Sequence, residues 1–302
     1  GGVTMTYSIV ARDGSTGELG VAVQTCYFGA GAIVPWARPG VGAVATQAMA
    51  EKAYGPRCLD ALGSGADAGE ALARAQALDP IPALRQVAVV GAGGAPAVAT
   101  GELCMDHAGH TVGDGYSAQA NMMSSPEVWG AMAAAYEQGT GVLARRLLAA
   151  LQAGEAAGGD ARGRMSAALL VVGGQVVEDP GGGVVVDLRI DRSEDPLGDL
   201  AGLLDAADAF AASDRAAEQL LGGDPVGALA TIDGALAILP GEENLRFVRS
   251  GALVASGAVD EGLAEVRALV AAQPTWEVIV RSFATKGLLA LPDGVAIDDL
   301  FH

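Results

Sequence analysis

Thr6-Tyr7-Ser8-Ile9-Val10-Ala11-Arg12-Asp13, the turn Gly14-Ser15-Thr16-Gly17, and Gly20-Val21-Ala22-Val23-Gln24-Thr25 open this chain as two strands joined by a glycine-rich turn. Thr6 stands directly after Met5 at the head of the first strand, where a trimmed chain would expose it. A threonine hydroxyl is a weak nucleophile near neutral pH, and a free α-amine with a pKa of about 8 can take its proton from within the same residue. No His or Asp partner is then required. As the sequence stands, Gly1-Gly2-Val3-Thr4-Met5 puts an amide where that amine would be. The alternative is that Thr6 merely begins an edge strand, since β-branched residues favour strands in any case.

Outward from this hairpin, residues 32–37 (AIVPWA) and 41–47 (VGAVATQ) read as further strands, followed by one helical stretch over 51–77. Strands return at 86–90 and 96–100 around the turn Gly91-Ala92-Gly93-Gly94, a hairpin signal. Ser125, Pro126 and Glu127 give an N-cap, a first-turn proline and a first-turn acid for a helix to about residue 137. Another helix is expected over 141–153, then apolar strands at 166–172 and 184–190. This succession suits sheets packed between helices, and the continuous apolar runs suit strands buried on both faces.

Beyond residue 195 no strand-like run remains. Leu229 recurs as Leu263, Ile232 as Val266, Pro240 as Pro274, Glu243 as Glu277 and Leu245 as Ile279, each 34 residues on. That spacing is the tetratricopeptide period. Two domains follow from this reading, 6–195 and an all-α module over 196–302, with residues 197–204 as the joint. Two repeats are fewer than such a stack needs, so the module is expected to lean on the first domain, a partner chain, or a helix over 200–221.

The chain has 302 residues, 51% hydrophobic and 18% charged, with a formal charge of −18. Disorder is excluded by the apolar content, and no uninterrupted 18-residue apolar run suggests a membrane span. Such acidity opposes nucleic acid and anionic membranes as partners, because both are bound mainly through Lys and Arg. Cys26, Cys58 and Cys104 are odd in number and lack CxxC spacing, and no signal-peptide pattern opens the chain, so a cytoplasmic location is expected. A homo-oligomer, most simply a dimer, is the expectation for a soluble chain of this kind.

TYSIVARD with TGELGVAVQT, IVPWARPGVGAVATQA, YGPR, CMDHAGHTVGDGYSAQANMM, GDARGRMSAALLVV and VDLRID, in that order over residues 6–195, resemble a bacterial family of unassigned function, domain of unknown function 1028. The family is similar in fold to the N-terminal nucleophile hydrolases. That resemblance implies an α+β fold, a four-layer αββα sandwich, followed here by the small helical module, and cleavage of amide bonds. A C-terminal helical segment in the family is sometimes labelled peptidoglycan-binding. The resemblance puts Thr6 at the nucleophile's position, and Gln47, Thr100, His110, Asn121, Asp160, Arg162, Ser166 and Asp187 on recurrent motifs. Met165 stands where glutamine is expected, His107 where an aromatic is usual, and Ser193 where histidine is common.

Each residue type suggests a role. Asn121 could offer an amide N–H to an oxyanion, or simply cap a turn. Asp160 and Arg162, two apart in a Gly-rich loop, could clamp a substrate carboxylate or form an exposed ion pair. Gln47 and Thr100 could hydrogen-bond an amide substrate, and His110 could relay a proton or orient its loop. Asp106, His107 and His110 lack the spacing of a metal site, Cys26 reads better as a small hydrophobe than as a nucleophile, and no phosphate loop is present, so no metal or cofactor is expected. These readings converge on an amidohydrolase for a small amide, lactam or short peptide-like substrate. The alternatives are a non-catalytic binding or scaffolding protein whose repeats meet a peptide or cell-wall partner, and a precursor that cuts itself before Thr6.

Overall fold

The computed structural model describes residues 3–4, 6–289 and 296–301. Two compact units are present, residues 1–202 and 203–302.

In the first unit the strands are β1 (Val3–Thr4), β2 (Thr6–Arg12), β3 (Leu19–Thr25), β4 (Pro35–Arg38), β5 (Gly42–Met49), β6 (Arg85–Gly91), β7 (Ala97–Thr100), β8 (Gly109–Gly113), β9 (Tyr116–Asn121), β10 (Ser166–Val172) and β11 (Val184–Ile190). Its helices are α1 (Tyr54–Gly63), α2 (Ala68–Gln76), α3 (Val128–Gln138) and α4 (Leu143–Ala156). All pairings are antiparallel. One sheet runs β1-β5-β6-β7, with β4 also on β5, and the other runs β11-β10-β3-β2-β9-β8.

The sheets face each other through Val10, Val21 and Val23 on one side and Ala43, Ala45 and Ala88 on the other. Small residues opposite valines let the sheets interdigitate. Outward-facing Val44, Val87 and Val89 pack under Tyr54, Leu59 and Leu72 of α1 and α2. On the second sheet α3 and α4 cover the outer face, and Gly20 admits the Leu143 and Leu147 side chains, which a Cβ there would strike. Covering both faces explains the unbroken apolar runs in the central strands.

Four details depart from the sequence reading. The helical stretch over 51–77 is two helices, broken at residues 64–67, where Asp67 caps α2 through Glu70 N. Residues 30–32 form a single 3₁₀ turn, so the strand begins only at Pro35. Ser125 accepts from Glu127 N, but α3 itself starts at Val128. β11 is an edge strand with Val184 and Val185 exposed, so it is not buried on both faces; an edge strand has only one neighbour to cover it.

The β2–β3 turn is held by Asp13. Its Oδ1 accepts from Ser15 N (2.8 Å), Ser15 Oγ (2.5 Å) and Thr16 N (3.0 Å), while Oδ2 pairs with Arg146 at 3.2 Å. Burial by itself would raise this carboxyl's pKa, but those donors outweigh it and bring it down to about 2. A carboxyl depressed in the folded state stabilises above its unfolded pKa near 4, and the contribution is lost as pH falls through about 2. It is worth about 2 kcal/mol. Urea midpoints measured from pH 6 to pH 2 should therefore fall more steeply for the wild type than for Asp13→Asn; parallel curves would refute this clasp.

The second unit begins within α5 (Pro196–Leu221) and continues with α6 (Pro225–Ile238), α7 (Glu243–Ser256), α8 (Val259–Ala272) and α9 (Trp276–Thr285). Residues 197–204, the expected joint, lie within helix α5. Ala209, Ala212 and Ala216 of α5 pack with Ala228, Ile232 and Ala235 of α6, and Phe247, Leu263, Val266 and Val280 form a second core. Within this unit α5 and α6 therefore share one core. Gly257 ends α7 with a φ of 95°, a conformation that a Cβ disfavours.

Candidate active site

Strand period and register together create a polar interior. The inward face of β2 reads Val10, Ser8, Thr6, and that of β5 reads Ala43, Ala45, Gln47; β6 follows with Val90, Ala88, Gln86. Each sheet changes from apolar to polar toward the same end. Register then ranks Ser166, Thr25, Thr6 and Asn121 side by side across four strands, with His110, Gln119 and Ser8 in the next rank. Gln47, Gln86 and Thr100 form the facing rank in the other sheet.

Thr6 is fully buried, and its Oγ1 has no hydrogen-bond partner among the described residues. Its carbonyl accepts from Gln47 Nε2 at 3.1 Å and from Asn121 Nδ2 at 3.3 Å. Both amides also donate to Gln86 Oε1, at 2.8 and 3.0 Å. Gln86 in turn donates to Thr100 Oγ1 (2.8 Å) and to the carbonyls of Ala120 and Gly109. On the far side Ser117 donates to Gln119, Gln119 to Ser8, and Ser8 to Gln47 Oε1, at 2.9, 2.6 and 2.6 Å. The bonds run in one direction, so each amide's orientation is fixed by its neighbours.

Thr100 and His110 close the network at the surface through Oγ1 and Nδ1, 2.9 Å apart. Loss of hydration pulls the His110 pKa below the ordinary imidazole value. Around the same end three non-glycine residues adopt positive φ: Ala48 after Gln47, Met122 after Asn121, and His107, which bonds Met123 O. Backbone strain of this kind is tolerated only where the surroundings enforce it, and it collects at working sites.

The other expected residues serve differently. Asn121 donates to Thr6 O and to Gln86 Oε1, so in this arrangement its amide supports the Thr6 backbone. Asp160 is buried, accepts from Cys26 N and Arg162 N at 2.9 Å each, and holds the Arg162 guanidinium at 2.9 Å, which ties this loop to the end of β3. Ser166 donates to Tyr27 O and accepts from Ala30 N, fixing the turn after β3. Asp187 pairs with Arg189 on exposed β11, opposite Leu170, three strands from Thr6 and four residues further along. It does not belong to the cluster.

Sequence reading missed Ser8, Gln86, Ser117 and Gln119. The available signal was a polar residue recurring at every second position toward one end of each otherwise apolar strand. Cys58 is buried, which pushes its thiol up to about 12, and burial also raises Cys104, so neither is a ready thiolate. Among the described residues no three His, Cys, Asp or Glu gather to hold a metal ion, and no helix is long and apolar enough to cross a membrane.

Residues 6–200 match the family of unknown function DUF1028. The chain belongs to this family. A crystal structure of the DUF1028 protein SPO2555 from Silicibacter pomeroyi is similar, with 33% identity over 67% of this chain and 89% of that one and a TM-score of 0.60. No curated protein matches the chain. Every residue of the polar cluster falls inside the DUF1028 match, whereas α6 to α9 lie outside it.

Proposed function

We propose that the DUF1028 unit is an N-terminal nucleophile amidohydrolase, a four-layer αββα sandwich acting on a small amide, lactam or short peptide-like substrate. The observation that carries this reading is the buried Thr6 hydroxyl, without a partner among the described residues, at the head of β2 and within the polar end of the inter-sheet space. Cleavage of the bond before Thr6 frees the α-amine. Thr6 Oγ then attacks the substrate carbonyl, its proton passes to the amine and on to the leaving nitrogen, and water hydrolyses the resulting ester. Gln47 and Asn121 hold the Thr6 carbonyl during these steps, and backbone N–H groups take the oxyanion.

The test is the intact mass and N-terminal sequence of the protein expressed without a tag, followed by incubation with a β-lactone. A chain beginning at Thr6 that gains one acyl group on Thr6 is the expected result, with the acylation rate rising with pH through about 8 as the amine loses its proton. A chain that keeps residues ahead of Thr6 and is not acylated would overturn the reading.

A second reading concerns the other unit. Helix α8 starts 34 residues after α6, as paired tetratricopeptide-like repeats would, and Phe210, Phe247, Trp276 and Phe283 line a groove of about 670 Å³. Four aromatic side chains in one groove favour a peptide-binding role for this unit.

A further inference from the structure

Long open sheet edges are usually blunted, because their main-chain groups pair with any strand that fits. Among the described residues β1, β4, β7, β8 and β11 each pair with one strand only. β1, β4 and β7 have two to four residues, β4 opens with Pro35, and β8 has five between Gly109 and Gly113. β11 is different: it runs seven residues, Val184–Ile190, without proline, glycine or lysine. Its two faces also differ. Register with β10 sets Asp187 beside Leu170 and Arg189 beside Ala168, on the face of the inter-sheet core, and Val186, Leu188 and Ile190 on the other face. Asp187 and Arg189 are exposed and pair with each other along the strand at 3.0 Å, a contact worth little in water. The three apolar side chains are half-buried.

We infer that the free edge of β11 is a dimer interface, taken by β11 of a second copy of this chain, antiparallel across a two-fold axis at Leu188. The two six-stranded sheets then join into one. A two-fold interface is self-complementary, so when one residue faces another, the second faces the first. Residues opposite each other must also share a face of the sheet, and this restricts the axis to a residue position. Three positions keep at least five residues of β11 paired: Val186, Asp187 and Leu188.

Charge chooses among the three. An axis at Asp187 sets that carboxylate against its own copy, and like charges directly opposite are destabilising. An axis at Val186 sets Asp187 against the partner's Val185 and leaves Arg189 without an opposite strand residue. With the axis at Leu188, Asp187 faces the partner's Arg189 and Arg189 faces the partner's Asp187, while on the other face Val186 meets the partner's Ile190 and Leu188 meets itself. This register exchanges one weak pair within each strand for two pairs between strands and continues the apolar row. It also uses only residues 186–190, the regular part of the β10 pairing, whose register shifts beyond Val186. The other two would have to pair Val184 and Val185 at that irregularity, where a bulged strand bends. The proposal is independent of the hydrolase reading, since β11 is three strands from Thr6.

The experiment is sedimentation of the full chain over a series of micromolar concentrations. The mass should rise with concentration to that of two chains. Arg189→Asp and Asp187→Arg each set like charges opposite one another twice, so each should raise the dissociation constant about tenfold or more. An equimolar mixture of these two variants should dimerise as the wild type does, because every charge then faces its opposite. The double exchange, Asp187→Arg with Arg189→Asp, should likewise self-associate. Melting measured on the dilute, monomeric proteins should be alike in all of them, which shows that the substitutions act on the interface and not on the fold. A wild type that stays monomeric throughout, or a dimer that survives both single variants, overturns the interface. Failure of the mixture or of the double exchange to recover the dimer overturns it as well.

Discussion

Thr6→Val is expected to abolish acyl transfer while leaving the protein at least as stable as the wild type. The two effects separate because the Thr6 hydroxyl is buried and makes no hydrogen bond among the described residues. Burying a hydroxyl without a partner costs about 1–3 kcal/mol, and valine fills the same volume without that cost. Thermal melting of the first unit should thus stay level or rise by about 2–4 °C, the shift that 1 kcal/mol produces in a domain of this size. β-Lactone acylation and amide cleavage should fall by at least about 10⁴-fold, the scale seen when a nucleophile is removed. Thr6→Ser keeps the oxygen and should keep most of the reactivity. Retained activity in Thr6→Val would dismiss Thr6 as the nucleophile. A loss of stability of 2 kcal/mol or more would show that the hydroxyl has a structural partner instead.

Gln86→Leu carries the largest expected effect on stability. Gln86 accepts from Gln47 and Asn121 and donates to Thr100 and to two main-chain carbonyls, so an apolar side chain strands several buried groups at once. Each stranded group costs about 1–3 kcal/mol, and partial rearrangement brings the total to about 3 kcal/mol. The melting temperature should drop by about 6–12 °C. Gln86→Glu keeps an acceptor for Gln47 and Asn121 but sets a carboxylate against the carbonyls of Gly109 and Ala120, so it should not rescue the fold. Asp187→Asn, which removes only an exposed ion pair, provides the control and should change stability by less than about 1 kcal/mol. Comparable losses for Gln86→Leu and Asp187→Asn would refute the view of Gln86 as the hub between the sheets.

Much of the first unit was legible in the chain. The hairpin of β2 and β3, the hairpin of β6 and β7, and the apolar strand β10 are each announced by residue type and turn chemistry. β8 was not, because Gly109-His110-Thr111-Val112-Gly113 is short, half polar and bounded by glycines, and only pairing with β9 makes it a strand. The break between α1 and α2 hid within a run whose small residues suit either state. Of the site, Thr6, Gln47, Asn121, Thr100 and His110 were reached through motifs, but Gln86 read as an ordinary strand residue and Gln119 was not singled out.

What the sequence by itself determined was local: which segments extend, which coil, where the 34-residue recurrence begins, and that Thr6 heads a strand. Those properties follow from backbone sterics, side-chain period and turn residues, which act over a few positions. What only the tertiary structure decided was which polar residues meet. Ser8 and Gln47 are 39 residues apart and Gln119 lies 111 beyond Ser8, yet their side chains share one hydrogen-bonded chain. Asp160 and Arg162, two residues apart, turned out to satisfy each other. Sheet register and the choice of facing strands fix these outcomes, because a one-residue slip would turn the whole inward set to the opposite face.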